Sequence, residues 1–593
     1  MILKALYDYY YRMMELNPMS LPMYGFQNAT ISFVIIIKKD GSFVRIEDCR
    51  DNNKKGREYV LPKGNHTNST TPFLFWDNCL YAINYSKANK PLNEIERQDA
   101  GKVAKWEKSL KTAQEKHLAF VKRCKKVWKE THEPEFESVV KFYEKNQISS
   151  LKQDILWAEI EKNPIINISF RIEGNTRLVS ENKSLVKFVE EDDEKQGTCL
   201  VTGNHTNIVR TSTRTPLVGC KSSASLVSFQ TDSGYDSYGK SQCYNAPISI
   251  EADFAYSTAF LKLKAQGSRN KFLVGNRTFL FWASSNSEAA EQAEGGLFDL
   301  LGMTGQDDDD PNARVEQVRK VFKAIDSGSL RTTLDDRFYI LGLAPNSARI
   351  AVIYWSETSL KDFAGMIIRH FNDMEIVQDN KGQQKFYRGL NDMLSGVTRH
   401  NNDGKWKDNI TPNLPEAIVK SIFQGYPYPF TLFSSCIRRI QAESADKNSV
   451  YAVRAAIIKA YLNRLNDNNK KILTMLDKEN TNPGYLCGRL FAILDKIQED
   501  ANHISSIRER YMNAASATPA TVFATILNLS VHHAEKLNEG SKVFYEKLKQ
   551  EIICKLPADA FPTHLDLQEQ GRFFVGYYHQ RQELFLKKDN QNE

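Results

Sequence analysis

The sequence predicts an α+β protein: a β-rich, multi-lobed N-terminal region with a helical insertion, followed by an all-α C-terminal helical bundle. Three observations predict it. Two β-rich runs, ISFVIII ending at Ile37 and SFVRI starting at Ser42, flank Asp40-Gly41, a tight-hairpin dipeptide. From Lys102 to Lys129 the chain is helical in character and strongly basic. Beyond about Leu360, strand-like runs give way to longer segments with apolar residues at steps of three and four. The chain is accordingly read as an N-terminal α/β lobe over 1–160, a β-rich central lobe over 161–360, a helical region over 361–474 and a terminal bundle over 475–593.

Each element has a local cause. Leu3, Leu6, Tyr10 and Met13 make one stripe, so residues 2–14 are expected to form an amphipathic helix. After the hairpin, Leu61 to Thr71 (LPKGNHTNSTT) has no apolar periodicity and reads as a polar loop leading into the aromatic segment FLFWDN. Residues 164–285 read as β-rich, with INISFRI, FLVGN and TFLFW as strands around a long polar stretch from Thr202 to Pro247. FYILGLAP and ARIAVIYW give two further strands joined by a turn. Helices are expected over Phe363–Phe371, Pro415–Phe423, Ser449–Leu465, Pro519–Leu537 and Lys542–Cys554, and Leu490, Ile493, Leu494 and Ile497 line up on another.

Composition excludes several classes. Of 593 residues, 41% are hydrophobic and 25% charged, with 79 bases against 72 acids and a net charge of +7, ordinary globular values. The longest apolar candidate, Ile31 to Ile37, is strand-length, so no membrane span is expected. The N-terminus lacks signal-peptide features, and nine cysteines without a CxxC pair fit reduced thiols, so a cytoplasmic protein is expected. There is no GxxxxGK[ST], no GxGxxG between a strand and a helix, no HExxH and no GxSxG. Cys199, Cys220 and Cys243 lack zinc spacing, and the acidic runs Glu190–Glu194 and Asp307–Asp310 read as solvated loops. No enzyme, cofactor or metal is expected, which leaves binding or scaffolding. The different-class alternatives are a metal-dependent nuclease with dispersed carboxylates near Asp192 and Asp308, and a pure scaffold.

Three sets of residues carry binding chemistry. Lys63, Asn65, His66, Thr67 and Asn68, with Asn78 after Trp76, offer the amides, hydroxyls and bases that read a duplex groove. From Lys102 to Lys129, ten bases face only Glu107 and Glu115, a balance of +8. Lys122, Arg123, Lys125 and Lys126 are the candidates there for tracking phosphates, the alternative being a solvated face. Arg210, Arg214, Lys221, Ser222, Ser223, Lys240, Gln242 and Asn245 combine small residues with bases, a surface that a nucleic-acid backbone can approach, or else a packed turn. Trp76, Trp106, Trp128 and Trp157 read as core or anchor residues, and Arg438, Arg439, Arg454 and Lys459 as solvated helix faces.

MILKALYDYYYRM, the hairpin, FLFWDN and above all GTCLVTG, KSSASLVSF and YGKSQCYNAP resemble the large subunit of the type I-C CRISPR Cascade complex. The similarity runs on through RFYILGLAPNSARI, RHFNDMEI and NPGYLCGRLFAILDKIQ, and so covers essentially the whole chain. The resemblance implies a non-catalytic subunit of an RNA-guided complex that holds the crRNA 5′ handle and reads the PAM in double-stranded target DNA. It implies help in opening the duplex into an R-loop, a displaced single strand, and recruitment of a helicase-nuclease that does the cutting. The implied partners also include the backbone and crRNA-processing subunits. Ser222, Ser223, Lys240, Gln242 and Asn245 match the family pattern; where relatives carry an asparagine before the FLWDN-like segment, this chain has Phe73. A separately translated small subunit is implied as well, and Met475 is the expected start. Residues 475–593 carry 14 bases and 16 acids, net −2, leaving +9 for residues 1–474.

Overall fold

A hairpin whose turn is written into the sequence organises the first sheet. The computed structural model describes residues 1–593 except 19, 65–70, 190–194, 232, 237, 275, 301–310, 379–387, 402, 447–448, 466–470, 504–505, 558–559 and 590–593. The chain forms two compact units, one of Met13–Thr213 with Val227–Ala259, the other of Met1–Arg12, Arg214–Leu226 and Phe260–Glu593.

In the first unit, β1 (Phe26–Ile31) pairs antiparallel with β4 (Arg57–Pro62), while β2 (Phe33–Ile37), β3 (Phe43–Asp48), β5 (Trp76–Asn78) and β6 (Asn167–Ile172) form a sheet ordered β3-β2-β6-β5. β2 and β3 are the two arms of the expected hairpin, and β2 also runs parallel to β6. The turn closes with Lys38 N donating to Ser42 O at 2.9 Å. Gly41 sits there at φ +83°, and a Cβ would lie 2.6 Å from Lys141. β2 is buried on both faces, which is why its sequence is continuously apolar. Phe33, Ile35 and Ile37 join Phe136, Val139, Phe142 and Phe120 in one core, while Val34 and Ile36 meet Ile31, Leu61 and Trp76 in another. A separate small ribbon in this unit pairs β7 (Gln196–Thr198) antiparallel with β8 (His205–Asn207).

The second unit carries an antiparallel meander of β9 (Lys271–Val274), β10 (Arg277–Ala283), β11 (Arg337–Asn346) and β12 (Arg349–Ser359). β11 and β12 are the two strands expected around the Pro345 turn. Phe279 and Phe281 of β10 point into the main core with Phe338 and Phe363; Trp282 meets Tyr9 of the first helix, Ile2–Leu16, at 6.4 Å and Tyr339 at 5.4 Å. Leu360–Met374, Leu414–Phe423, Ala452–Arg464, Pro519–Ala534 and Glu539–Ile553 are helices close to the expected bounds, so the α+β class and its helical C-terminal region are observed.

Two expectations need correction. Within the supposedly β-rich stretch lies the 15-residue helix Ile250–Lys264. Ala252, Phe254, Ala255, Tyr256, Ala259 and Phe260 are all buried, so apolar residues surround the axis and leave no amphipathic stripe to read. Arg454 and Lys459 are not on a solvated face. They are 4% and 3% exposed, with Arg454 Nε donating to Gly396 O at 2.8 Å and Lys459 Nζ to Asn372 O at 3.1 Å.

Candidate nucleic-acid interface

All elements of the first two candidate sets lie in the first unit. β4 delivers Lys63, whose backbone N–H donates to Gly25 O at 2.7 Å and whose Nζ donates to Thr213 Oγ1 at 3.1 Å. Thr213 Oγ1 donates to Asp253 Oδ2 at 2.6 Å, and the Tyr256 hydroxyl donates to Asp253 Oδ1 at 2.7 Å. Asp253 is 2% exposed, so Lys63 is tied into a buried polar network rather than extended into solvent. Asn65, His66, Thr67 and Asn68 lie outside the described residues.

On the far side of that segment, the Phe73 ring stacks on Trp76 at 4.3 Å, and Trp76 Nε1 donates to Pro62 O at 3.3 Å. Gly64 faces the same ring: a Cβ there would lie 1.9 Å from it. Phe73 is thus packed between Gly64 and Trp76. Asn78 caps the short helix Cys79–Ala82, its Oδ1 accepting from Leu80 N at 3.0 Å, and so its amide oxygen is engaged locally.

The basic segment is one 32-residue helix, Ala100–Thr131, capped by Asp99. Its inner side follows steps of three and four through Trp106, Leu110, Ala113, His117, Phe120, Cys124 and Val127, with Ala113, Phe120, Cys124 and Val127 fully buried. Trp106 Nε1 donates to Ala88 O at 2.7 Å, an anchor as expected. The four candidates differ in kind. Arg123 donates to Pro72 O at 2.7 Å and Phe188 O at 3.0 Å, holding two distant backbone segments, and Lys125 pairs with Glu144 at 3.0 Å. Lys122 and Lys126 are exposed. At 100° per residue they share the outward stripe with Lys108, Lys111 and Lys129, also exposed. Those three belong to the surface on better grounds than Arg123, and the signal was available: they lie opposite the apolar repeat.

The third set divides. Arg210, Lys240, Gln242 and Asn245 belong to the first unit, and Arg214, Lys221, Ser222 and Ser223 to the second. In the first, Asn245 Nδ2 donates to Gln242 O at 2.9 Å and Gln242 N to Asp236 Oδ1 at 3.3 Å, a packed turn that leaves Lys240 and Arg210 exposed. In the second, Lys221 N donates to Ser347 O at 2.9 Å and Ser225 bridges Arg349, fastening the loop to the β11–β12 turn. Arg214, Lys221, Ser222 and Ser223 stay exposed on it.

Residues 6–585 match the family described as CRISPR-associated protein (Cas_Csd1). The chain belongs to that family. No curated protein matches it. The family match, over nearly the whole chain, bears out the CRISPR-associated reading of the sequence and supports a Cascade large-subunit family, whose members work in a complex with other Cas proteins and crRNA. Among the described residues of this Cas_Csd1 chain, no three His, Cys, Asp or Glu side chains gather as a metal would require, and no helix is long and apolar enough to cross a membrane. The acidic runs around Asp192 and Asp308 lie outside the described residues.

Proposed function

We propose that this chain is the non-catalytic large subunit of a type I-C Cascade complex in antiviral defence, acting in the cytoplasm. It recognises the PAM in double-stranded target DNA, contacts the crRNA 5′ handle, helps open the duplex into an R-loop and recruits the helicase-nuclease, beside the backbone and crRNA-processing subunits. The observation that carries the reading is the family match, which spans 580 of 593 residues. Supporting it, the described residues on either side of 65–70 are held in place, Lys63 by its hydrogen bond to Thr213 and Phe73 by its stack on Trp76. The outward lysine face of Ala100–Thr131 supplies charge for phosphates.

Residues 475–593 form the separately translated small subunit in this reading. Met475 is 60% exposed ahead of the helix Pro483–Asn502. The product contains the helices Pro483–Asn502 and Leu567–Asp589, which pack against each other through Gly488 and Gly576, while their buried residues are continuous with the core formed by residues upstream of Met475.

The test is binding of the assembled complex to matched duplexes differing only in the flanking bases, for the parent and for Asn65→Ala/His66→Ala/Asn68→Ala. The parent is expected to discriminate and the variant not to. Equal discrimination by both moves the reader away from this loop. DNA incubated with the purified chain and magnesium or manganese is expected to stay intact; cleavage would revive the nuclease alternative.

A further inference from the structure

The outward face of the helix Ala100–Thr131 is not evenly basic. Lys108 and Lys111 form one exposed group, and Lys122, Lys126 and Lys129 form another. Between them, on the same stripe, stand exposed Glu115 and Leu118, the latter 59% exposed. Lys116 is turned aside, its ammonium 5.1 Å from the Tyr81 ring centre. Among the described residues none of the five lysines pairs with a carboxylate. At a rise of 1.5 Å per residue, Lys111 and Lys122 are separated by about 16 Å along the axis.

A single strand tracking this stripe would meet a carboxylate and an apolar side chain halfway along it, where its phosphates need a base. A duplex presents a different pattern: two phosphate rims with an open groove between them. The major groove is about 12 Å wide, and a phosphate on each rim brings the span close to the lysine gap. Glu115 and Leu118 then face the groove, away from either backbone.

We propose that this helix lies across a groove of duplex DNA as a strut, Lys108 and Lys111 on one phosphate rim and Lys122, Lys126 and Lys129 on the other. The inference rests on the nucleic-acid reading above and deepens it, by making the helix a sequence-independent sensor of double-strandedness. The helix does not enter the groove, because its width with side chains, about 10–12 Å, is occupied on the inner side by the core.

The experiment measures binding of the assembled complex to a duplex and to a single strand of the same sequence at 50–200 mM salt. The variants are Lys108→Ala/Lys111→Ala, Lys122→Ala/Lys126→Ala/Lys129→Ala and Glu115→Lys. Each neutralised phosphate contributes about 0.9 to the slope of log K against log salt on duplex DNA. The duplex slope is therefore expected to fall by about 1.8 and about 2.7 for the two groups, with the single-strand slope little changed and Glu115→Lys leaving the duplex slope as in the parent. Equal losses on the single strand, or a steeper slope in Glu115→Lys, overturn the strut in favour of single-strand tracking. Unchanged slopes return the face to solvent, and unchanged slopes with loss of subunits from the purified complex make it a protein contact; both overturn the proposal. Flanking-base discrimination by the same complexes separates the two levels: discrimination retained alongside unchanged slopes sinks only the strut, whereas a parent without discrimination sinks the motif-reading role.

Discussion

The helix Ala100–Thr131 and the pair Pro483–Asn502 with Leu567–Asp589 are both rich in charge and use it in opposite ways. On the first, lysines occupy the stripe opposite the buried one and face solvent. In the second, charge lies inside. Asp495 is fully buried, accepting from the Tyr577 hydroxyl at 2.9 Å and from Arg581 at 2.9 Å, with Arg508 at 3.7 Å. Arg489, equally buried, donates to Gln580 at 3.0 Å and Glu551 at 3.0 Å. Glycines bring these helices together: a Cβ on Gly488 would lie 1.9 Å from Phe573 O, and one on Gly576 2.3 Å from Tyr485 O. The comparison teaches that where a charge sits relative to the apolar repeat decides its role, and charge density alone does not.

The largest expected effect comes from breaking the buried network. Asp495→Ala leaves Arg508, Arg581 and the Tyr577 hydroxyl without their shared acceptor, which costs about 3–5 kcal/mol for a buried pair broken from one side. Urea unfolding followed by far-ultraviolet circular dichroism is expected to show an early transition in the helical signal. A midpoint equal to the parent's would mean that water, not Asp495, satisfies the arginines.

Next is the approach of the two helices. Gly488→Ala inserts a methyl group where the Phe573 carbonyl stands, and overpacking of this kind costs about 1–3 kcal/mol. The same substitution at Gly234, with nothing within 4 Å, is the reference for steric effect, although its φ of +78° carries strain of its own.

Arg123 tests the comparison from the other side, being a base of that cluster that holds distant backbone segments. Arg123→Ala removes the donors to Pro72 O and Phe188 O, hydrogen bonds to a charged group worth about 1.5–3 kcal/mol. Its thermal midpoint is expected to fall while the salt slope of DNA binding stays near the parent's.

Acid is expected to find the buried region first. Burial, with a further contribution from the charge of Lys459, lowers the pKa of His579 from 6.5 to about 3. A base whose folded pKa is depressed stays neutral in the folded protein, while the unfolded chain takes up a proton. Its contribution to stability is thus complete above pH 6.5 and is lost as pH falls toward 3. At pH 5.5, one unit below the unfolded value, the loss is about 1.4 kcal/mol. His579→Gln should flatten the pH dependence of unfolding by up to one proton; an unchanged slope would place the titration elsewhere, at His370 for example, which burial also lowers to about 3.

Much of this was legible in the sequence where the cause is local. The Asp40-Gly41 turn, the two β11–β12 strands and the first helix depend on neighbours a few residues away, and periodicity exposes them. The long helix's two stripes were legible for the same reason. What was not legible depends on distant arrivals. Arg123 acts on carbonyls 51 and 65 residues away, and Lys63 finds Thr213 150 residues on, so neither could be separated from its basic neighbours by pattern. Asn78 looked like a reader because it is an amide after an aromatic anchor, yet an asparagine just ahead of a helix is equally a cap. The helix Ile250–Lys264 buries residues on most sides, leaving Glu251, Leu261 and Lys262 exposed, and offers no single apolar stripe.

The smallest expected effect sharpens the comparison most. Lys122→Ala/Lys126→Ala/Lys129→Ala removes three charges from a solvated stripe, and surface changes of this kind fall within about 0.5 kcal/mol each. The sign should lean toward stabilisation. Lys122 and Lys126 are like charges four residues apart, and alanine is the better helix former. A thermal midpoint at or slightly above the parent's, together with a flattened salt slope, separates binding from folding on one helix, the reverse of Arg123→Ala. A midpoint lowered by more than about 1 kcal/mol per site would mean that the lysine stems cover apolar surface, and the outward face would then belong to the core it was contrasted with.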